Sequence, residues 1–127
     1  MSKAIQAAQK AARKAIERGY TGVATITEYQ EVEDPRTHFT DYQEVIVLEN
    51  QPCKLSFETV TTAIQTETAA TISQVVKLFI SPDVTINPGG KITVTQNGVT
   101  TEYASSGVPA VYATHQEIIL GLFESWA

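Results

Sequence analysis

The 127-residue sequence holds one cysteine, one methionine and one tryptophan, and the lone cysteine already excludes something. A single thiol, Cys53, makes no intrachain disulfide and supplies no zinc centre of the paired-cysteine kind. The expected compartment is therefore the reducing cytosol. Long apolar runs are missing too: the longest, residues 45–48 and 118–123, fall far short of the roughly 20 residues that span a bilayer. Met1-Ser2-Lys3 leads into an alanine-rich amphipathic segment in place of an apolar signal core, so no export signal is expected. Basic charge is scarce outside the first 18 residues. There Lys3, Lys10, Arg13, Lys14 and Arg18 stand against Glu17 alone, a net +4, while the remainder of the chain carries −9. Duplex nucleic acid is bound mainly by neutralising phosphates with lysine and arginine, so the acidic body is a poor match for it.

What is present is enough for one folded domain: 43% hydrophobic and 18% charged residues over a length typical of a single core. Residues 1–19 read as a basic helix. Ala4, Ile5, Ala8, Ala11, Ala12, Ala15 and Ile16 share one side of a 3.6-residue wheel, with Lys3, Gln6, Lys10, Arg13, Lys14 and Glu17 on the other. Ser2 is placed to cap it and Gly19 to end it. The helix either lies along the body on its alanine stripe or projects to dock on another chain.

Residues 20–127 read as a mainly β domain, a small barrel or sandwich, in which most of the 17 threonines lie. Expected strands cover 23–29, 42–48, 53–57, 75–80, 91–95, 99–103 and 108–115. Asn97-Gly98 marks a tight hairpin, and Ser81-Pro82-Asp83, Pro88-Gly89-Gly90 and Ser105-Ser106-Gly107 mark turns. Residues 116–126 fit a helix face or a strand, with Gly121 favouring the strand. Glu31 to Asp41 reads as a polar loop broken by Pro35. Thr59 to Gln74 is small and polar without a period, an irregular segment or the two arms of a long hairpin.

Candidate chemistry is sparse. Glu33, Asp34, His38 and Asp41 are the densest group of possible ligands, but they read as a solvated loop, and no HExxH spacing occurs. His115 reads as a hydrogen-bonded structural histidine and Cys53 as an inert buried thiol. Gly89-Gly90-Lys91-Ile92-Thr93 lacks the phosphate-loop spacing and precedes a strand. Ser105-Ser106-Gly107 is not a nucleophile elbow. No strand interleaves aromatics with basic residues, and Trp126 either closes the core or anchors a partner. No cofactor, metal or catalytic residue is expected, and the chain reads as a non-enzyme.

From about residue 20 onward the chain resembles the minor capsid, or head-closure, proteins of long-tailed bacteriophages and PBSX-like defective prophages. The resemblance runs through Cys53-Lys54-Leu55-Ser56-Phe57, Lys77-Leu78-Phe79-Ile80-Ser81-Pro82-Asp83 and Pro88-Gly89-Gly90-Lys91-Ile92-Thr93-Val94. It continues at Tyr103, Ser106-Gly107, Pro109-Ala110-Val111-Tyr112, His115-Gln116-Glu117-Ile118 and Trp126-Ala127. Lys54 and Gly90 depart from it, standing where such families often show arginine and serine. The resemblance implies a virion protein of the head-tail connector: a β-barrel ring below the portal and adaptor that closes the head, retains packaged DNA and meets a tail protein. Such a protein assembles in the bacterial host cytoplasm, touches genomic DNA only in passing and has no membrane partner. On this reading Lys10, Arg13 and Lys14 contact a neighbouring subunit or ring, and Ile64, Gln65, Thr66, Glu67 and Thr68 project into the channel. The main rival is an OB-like nucleic-acid-binding barrel with a basic helical arm. A second is a small hydrolase using the 33–41 loop.

Overall fold

A computed structural model describes residues 2–63 and 70–126, with side chains described outside 60–73. The elements are helix α1 (Lys3–Glu17) and strands β1 (Gly22–Glu33), β2 (Thr40–Ala63), β3 (Ala70–Ile80), β4 (Lys91–Gln96), β5 (Val99–Ser105), β6 (Ala110–Val111) and β7 (Gln116–Leu122). All pairings are antiparallel, in the order β3-β2-β1-β4-β5-β7, and β7 pairs back onto β3 to close the ring. The two-residue β6 fills the edge of β7 beyond the end of β5. Closure removes the exposed edges that an open sheet of these strands would leave.

The core follows from period-two alternation. Ala24 and Ile26, Cys53 and Leu55, Leu78 and Ile80, Ile92 and Val94, and Ile118 and Leu120 all point inward, joined by Tyr103. Val84 and Ile86, on the connection between β3 and β4, cover one end. Side chains fill the interior of a barrel this small, leaving no channel within a single copy. At Asn97-Gly98 both residues have positive φ, 54° and 77°, as a two-residue turn with strand-matching twist requires.

Strand β2 accounts for most of the differences from expectation. Residues 42–48 and 53–57 are one continuous strand, not two. Their separator, Glu49-Asn50-Gln51-Pro52, stays in the ladder, with Pro52 opposite Val23 and Gln51 opposite Ala24; the register slips between Ala24 and Thr27, and Asn50 sits at φ 53°. Pro52 is tolerated because β3 first pairs with β2 at Cys53, so the missing N–H would have had no acceptor there. Beyond Gly22, β1 no longer covers β2. The Gln96 side chain takes its place, with Oε1 accepting from Leu55 N at 2.8 Å and Nε2 donating to Leu55 O at 3.3 Å.

The segment expected to be a loop over 31–41 is a ladder as far as Glu33 opposite Thr40, and only 34–39 form the connection. The Asp34 carboxylate accepts from Arg36 N, and His38 sits at φ 61°. In 59–74, residues 59–63 and 70–74 pair in register, the long-hairpin alternative. The strand expected over 108–115 shrinks to Ala110–Val111, because Tyr112 N turns back to His115 O. The final segment is a strand to Leu122, where Glu117 and Ile119 face outward between inward Ile118 and Leu120.

Ser2 Oγ accepts from Ile5 N at 3.2 Å and caps α1, and Gly19 N closes the far end onto Ile16 O. No residue of the helix is buried, and its alanine stripe is open to solvent. Alanine offers too little apolar area for burial to outweigh the polar contacts on the opposite side.

Candidate functional site

Two β-ribbons extend beyond the barrel. β4 pairs with β1 only over residues 23–27, so residues 28–33 with 40–45 form a two-stranded ribbon with free outer edges. At the other end of β2, residues 58–63 with 70–75 form a second, past the limit of pairing with β7 at Val76. Isolated two-stranded ribbons are marginal in water, so both gain by being covered.

The first ribbon is acidic and aromatic. Across residues 28–44, Glu28, Glu31, Glu33, Asp34, Asp41 and Glu44 oppose Arg36 alone, a net −5. Register places Tyr29 opposite Glu44 and Tyr42 opposite Glu31, so the two tyrosines lie diagonally on one face. Their rings stack at 5.4 Å between centroids, and Trp126 stacks on Tyr29 at 5.2 Å. Phe123 meets Trp126 edge-on at 4.9 Å. The bond from the Tyr42 hydroxyl to Glu31 pushes the phenol pKa up.

Lys91, only 9% exposed, sits at the base of this ladder. Its Nζ lies 2.8 Å from Glu44 Oε1 and 3.2 Å from Glu102 Oε2, and over the rings of Phe123 and Trp126 at 5.3 and 5.7 Å. Trp126 Nε1 donates to the same Glu44 oxygen at 2.9 Å. The bond to Glu44 raises the Lys91 pKa, and the bonds from Lys91 and then Trp126 hold Glu44 below the usual carboxylate range. The stability that Glu44 contributes is therefore full above its unfolded pKa and lost as pH falls through the lower folded value. The Lys91 share is lost only as pH rises above the ordinary lysine range. Acid titration of the unfolding midpoint is expected to show a smaller loss in Glu44→Gln than in the parent chain.

Of the proposed helix contacts, Lys10 and Lys14 are exposed, but Arg13 is engaged within the chain. Its guanidinium donates to Ser81 Oγ and Asp83 Oδ2 and lies 3.6 Å from Glu17. Arg13 is thus the tether of the helix to the barrel. Because Asp83 is largely exposed, Arg13→Ala is expected to change global stability by less than about 1 kcal/mol. It should nonetheless speed trypsin cleavage after Arg18 several-fold, and limited proteolysis checks this. The channel candidates Ile64, Gln65, Thr66, Glu67 and Thr68 lie outside the described residues.

The loop candidates do not converge. His38 Nδ1 is 3.0 Å from Glu33, Asp34 holds its own turn, and Asp41 accepts from Tyr42 N. No group of three metal-ligating side chains occurs among the described residues. His115 bonds Glu117 at 2.9 Å and Thr114 at 3.1 Å and stacks on Tyr112. Cys53 is fully buried, and burial pushes its thiol up to about 11. A thiol reagent at neutral pH is expected to leave the native chain unlabelled and to label it fully in denaturant.

The ladder was missed because Tyr29, Tyr42 and Trp126 are remote in sequence, and only the register brings them together. The surface it makes favours cations and repels phosphates.

No protein-family model matches the chain. No curated protein matches it either. Among solved structures it is similar to the phage-like element PBSX protein xkdH of Bacillus subtilis, with 13% identity over 79% of this chain and 91% of that chain and a TM-score of 0.47.

Proposed function

We propose that the chain is a structural subunit of the head-tail junction of a long-tailed phage or PBSX-like prophage. It forms a ring below the portal and adaptor that closes the head, retains DNA and docks the tail. The observation that carries this reading is a closed barrel from which two unsupported ribbons and a tethered, solvent-exposed helix extend. These are surfaces made for covering by other subunits. The sequence resemblance of residues 20–127 supports the same role. So does the acidic body, since a ring through which DNA slides works best without gripping phosphate.

One observation favours the OB-like alternative: the stacked Tyr29, Tyr42 and Trp126 have the form of a base-stacking platform. Its setting opposes it, because Glu28, Glu31 and Glu44 flank the stack and Lys91 is already paired with two carboxylates. The test is incubation of the purified chain with tailless, DNA-filled phage heads, viewed by electron microscopy. Density at the portal vertex and retained DNA are expected. Heads left bare, with salt-sensitive retention of the chain on single-stranded DNA, would overturn the proposal in favour of nucleic-acid binding.

A further inference from the structure

We propose that the pocket beside the aromatic ladder receives a lysine or arginine side chain from helix α1 of a second copy, joining copies head to tail. The inference rests on the ring reading above and names the contact within it.

The pocket measures about 290 Å³ and is walled by Glu28, Tyr29, Tyr42, Asn87 and Trp126, with the 88–90 turn at its rim. Aromatic faces beside a carboxylate attract a cation, and Lys91 already uses this chemistry on Trp126 within the chain. Glu28, one position from Tyr29 and so on the other face of β1, reaches the same pocket without a charged partner among the described residues. Its two oxygens accept from the neutral amides of Gln30 at 3.0 Å and Asn87 at 2.9 Å.

The matching charge lies on the helix. Arg13 is consumed by the tether, whereas Lys3, Lys10, Lys14 and Arg18 make no ion pair among the described residues. On a 3.6-residue wheel these four form one flank, separated from Arg13, with the exposed alanine face alongside them. Lys10, Lys14 and Arg18 recur every four residues, a rise of about 6 Å. On the ribbon face Tyr29, Glu31 and Glu33 recur every two residues, about 6.6 Å apart. The two rows run in step. Small alanines permit close approach, and Tyr42 and Ile46, each 54% exposed, are the apolar surface that this approach covers. Helix and ribbon are different surfaces of one chain, so a contact made in one direction is heterologous, and it makes a ring where its rotation closes.

Trp126 is the sole tryptophan, so its emission reports occupancy of the pocket. Sedimentation velocity and emission of the full chain are followed against concentration at about 50 mM and about 500 mM salt. Association with an emission shift is expected at low salt and weakening at high salt. The helix variant K10E/K14E/R18E, which keeps Arg13, and the ribbon variant E28K/E31K/E33K should each associate at least about tenfold more weakly. An equimolar mixture of the two should recover association, which a merely structural defect would not allow; far-UV circular dichroism checks that each variant is folded. A parent chain that stays monomeric at low salt up to its solubility limit would overturn the contact. So would a folded helix variant that associates like the parent, or a mixture that fails to recover. Binding of the parent chain to tailless heads tests the junction reading alone, so the two failures are distinguishable.

Discussion

Leu78→Ala is expected to lose about 3 kcal/mol of stability and to lower the melting temperature by roughly 10 to 20 °C. Leu78 is fully buried, and its strand is the one that closes the ring: it stands opposite Leu55 on one side and Ile118 on the other. Truncation removes contacts from both seams at once and leaves a cavity between strands fixed in register, which cannot collapse to fill it. Ile119, one position along β7 and 40% exposed, is the control. Ile119→Ala should cost under about 1 kcal/mol. Chemical denaturation of the two variants checks the pair, and equal losses would contradict a sheet closed between β3 and β7.

Gln116→Leu should lose about 1 to 3 kcal/mol, although it replaces a buried amide with a side chain of similar size. Gln116 is 2% exposed and opens β7. Its Nε2 donates to Ser81 O at 2.8 Å and also to Val84 O, fixing the turn that leaves β3. Leucine fills the space but leaves Val84 O without its donor and Ser81 O with Val84 N alone. The consequence extends further, since Ser81 and Asp83 on that turn also hold Arg13. Gln116→Leu should therefore combine a lower unfolding midpoint with faster cleavage after Arg18, whereas Arg13→Ala shows the second effect alone. A Gln116→Leu chain with parental stability would mean that the amide does not carry the turn.

Local chemistry made much of the barrel legible. Asn97-Gly98 fixed a hairpin because few residue pairs accept positive φ twice in succession, and Ile92, Val94, Ile118 and Leu120 alternated because one side faces the core. Legibility fails where a strand leaves the barrel. In residues 28–33 and 40–45 neither face is buried throughout, so no alternation marks them, and Pro35 drew the boundary of the loop too wide. Pro52 hid the continuity of β2 for the reverse reason: its tolerance depends on where β3 starts, which is a fact of topology. For the candidate site, the charge contrast between helix and body was visible in the sequence. The engagement of Arg13 by Asp83, 70 positions away, and the meeting of Tyr29, Tyr42 and Trp126 were not, because each depends on register set elsewhere.

The 24 residues of β2 run through both ribbons and the barrel wall between them. A pull on one ribbon therefore reaches the other along a single covalent backbone. Its flanking ladders lie across the line of force and are loaded in shear, many bonds at a time. Such a beam does not unzip from an end; it moves as one piece, so strain at one side of the subunit is felt at the other.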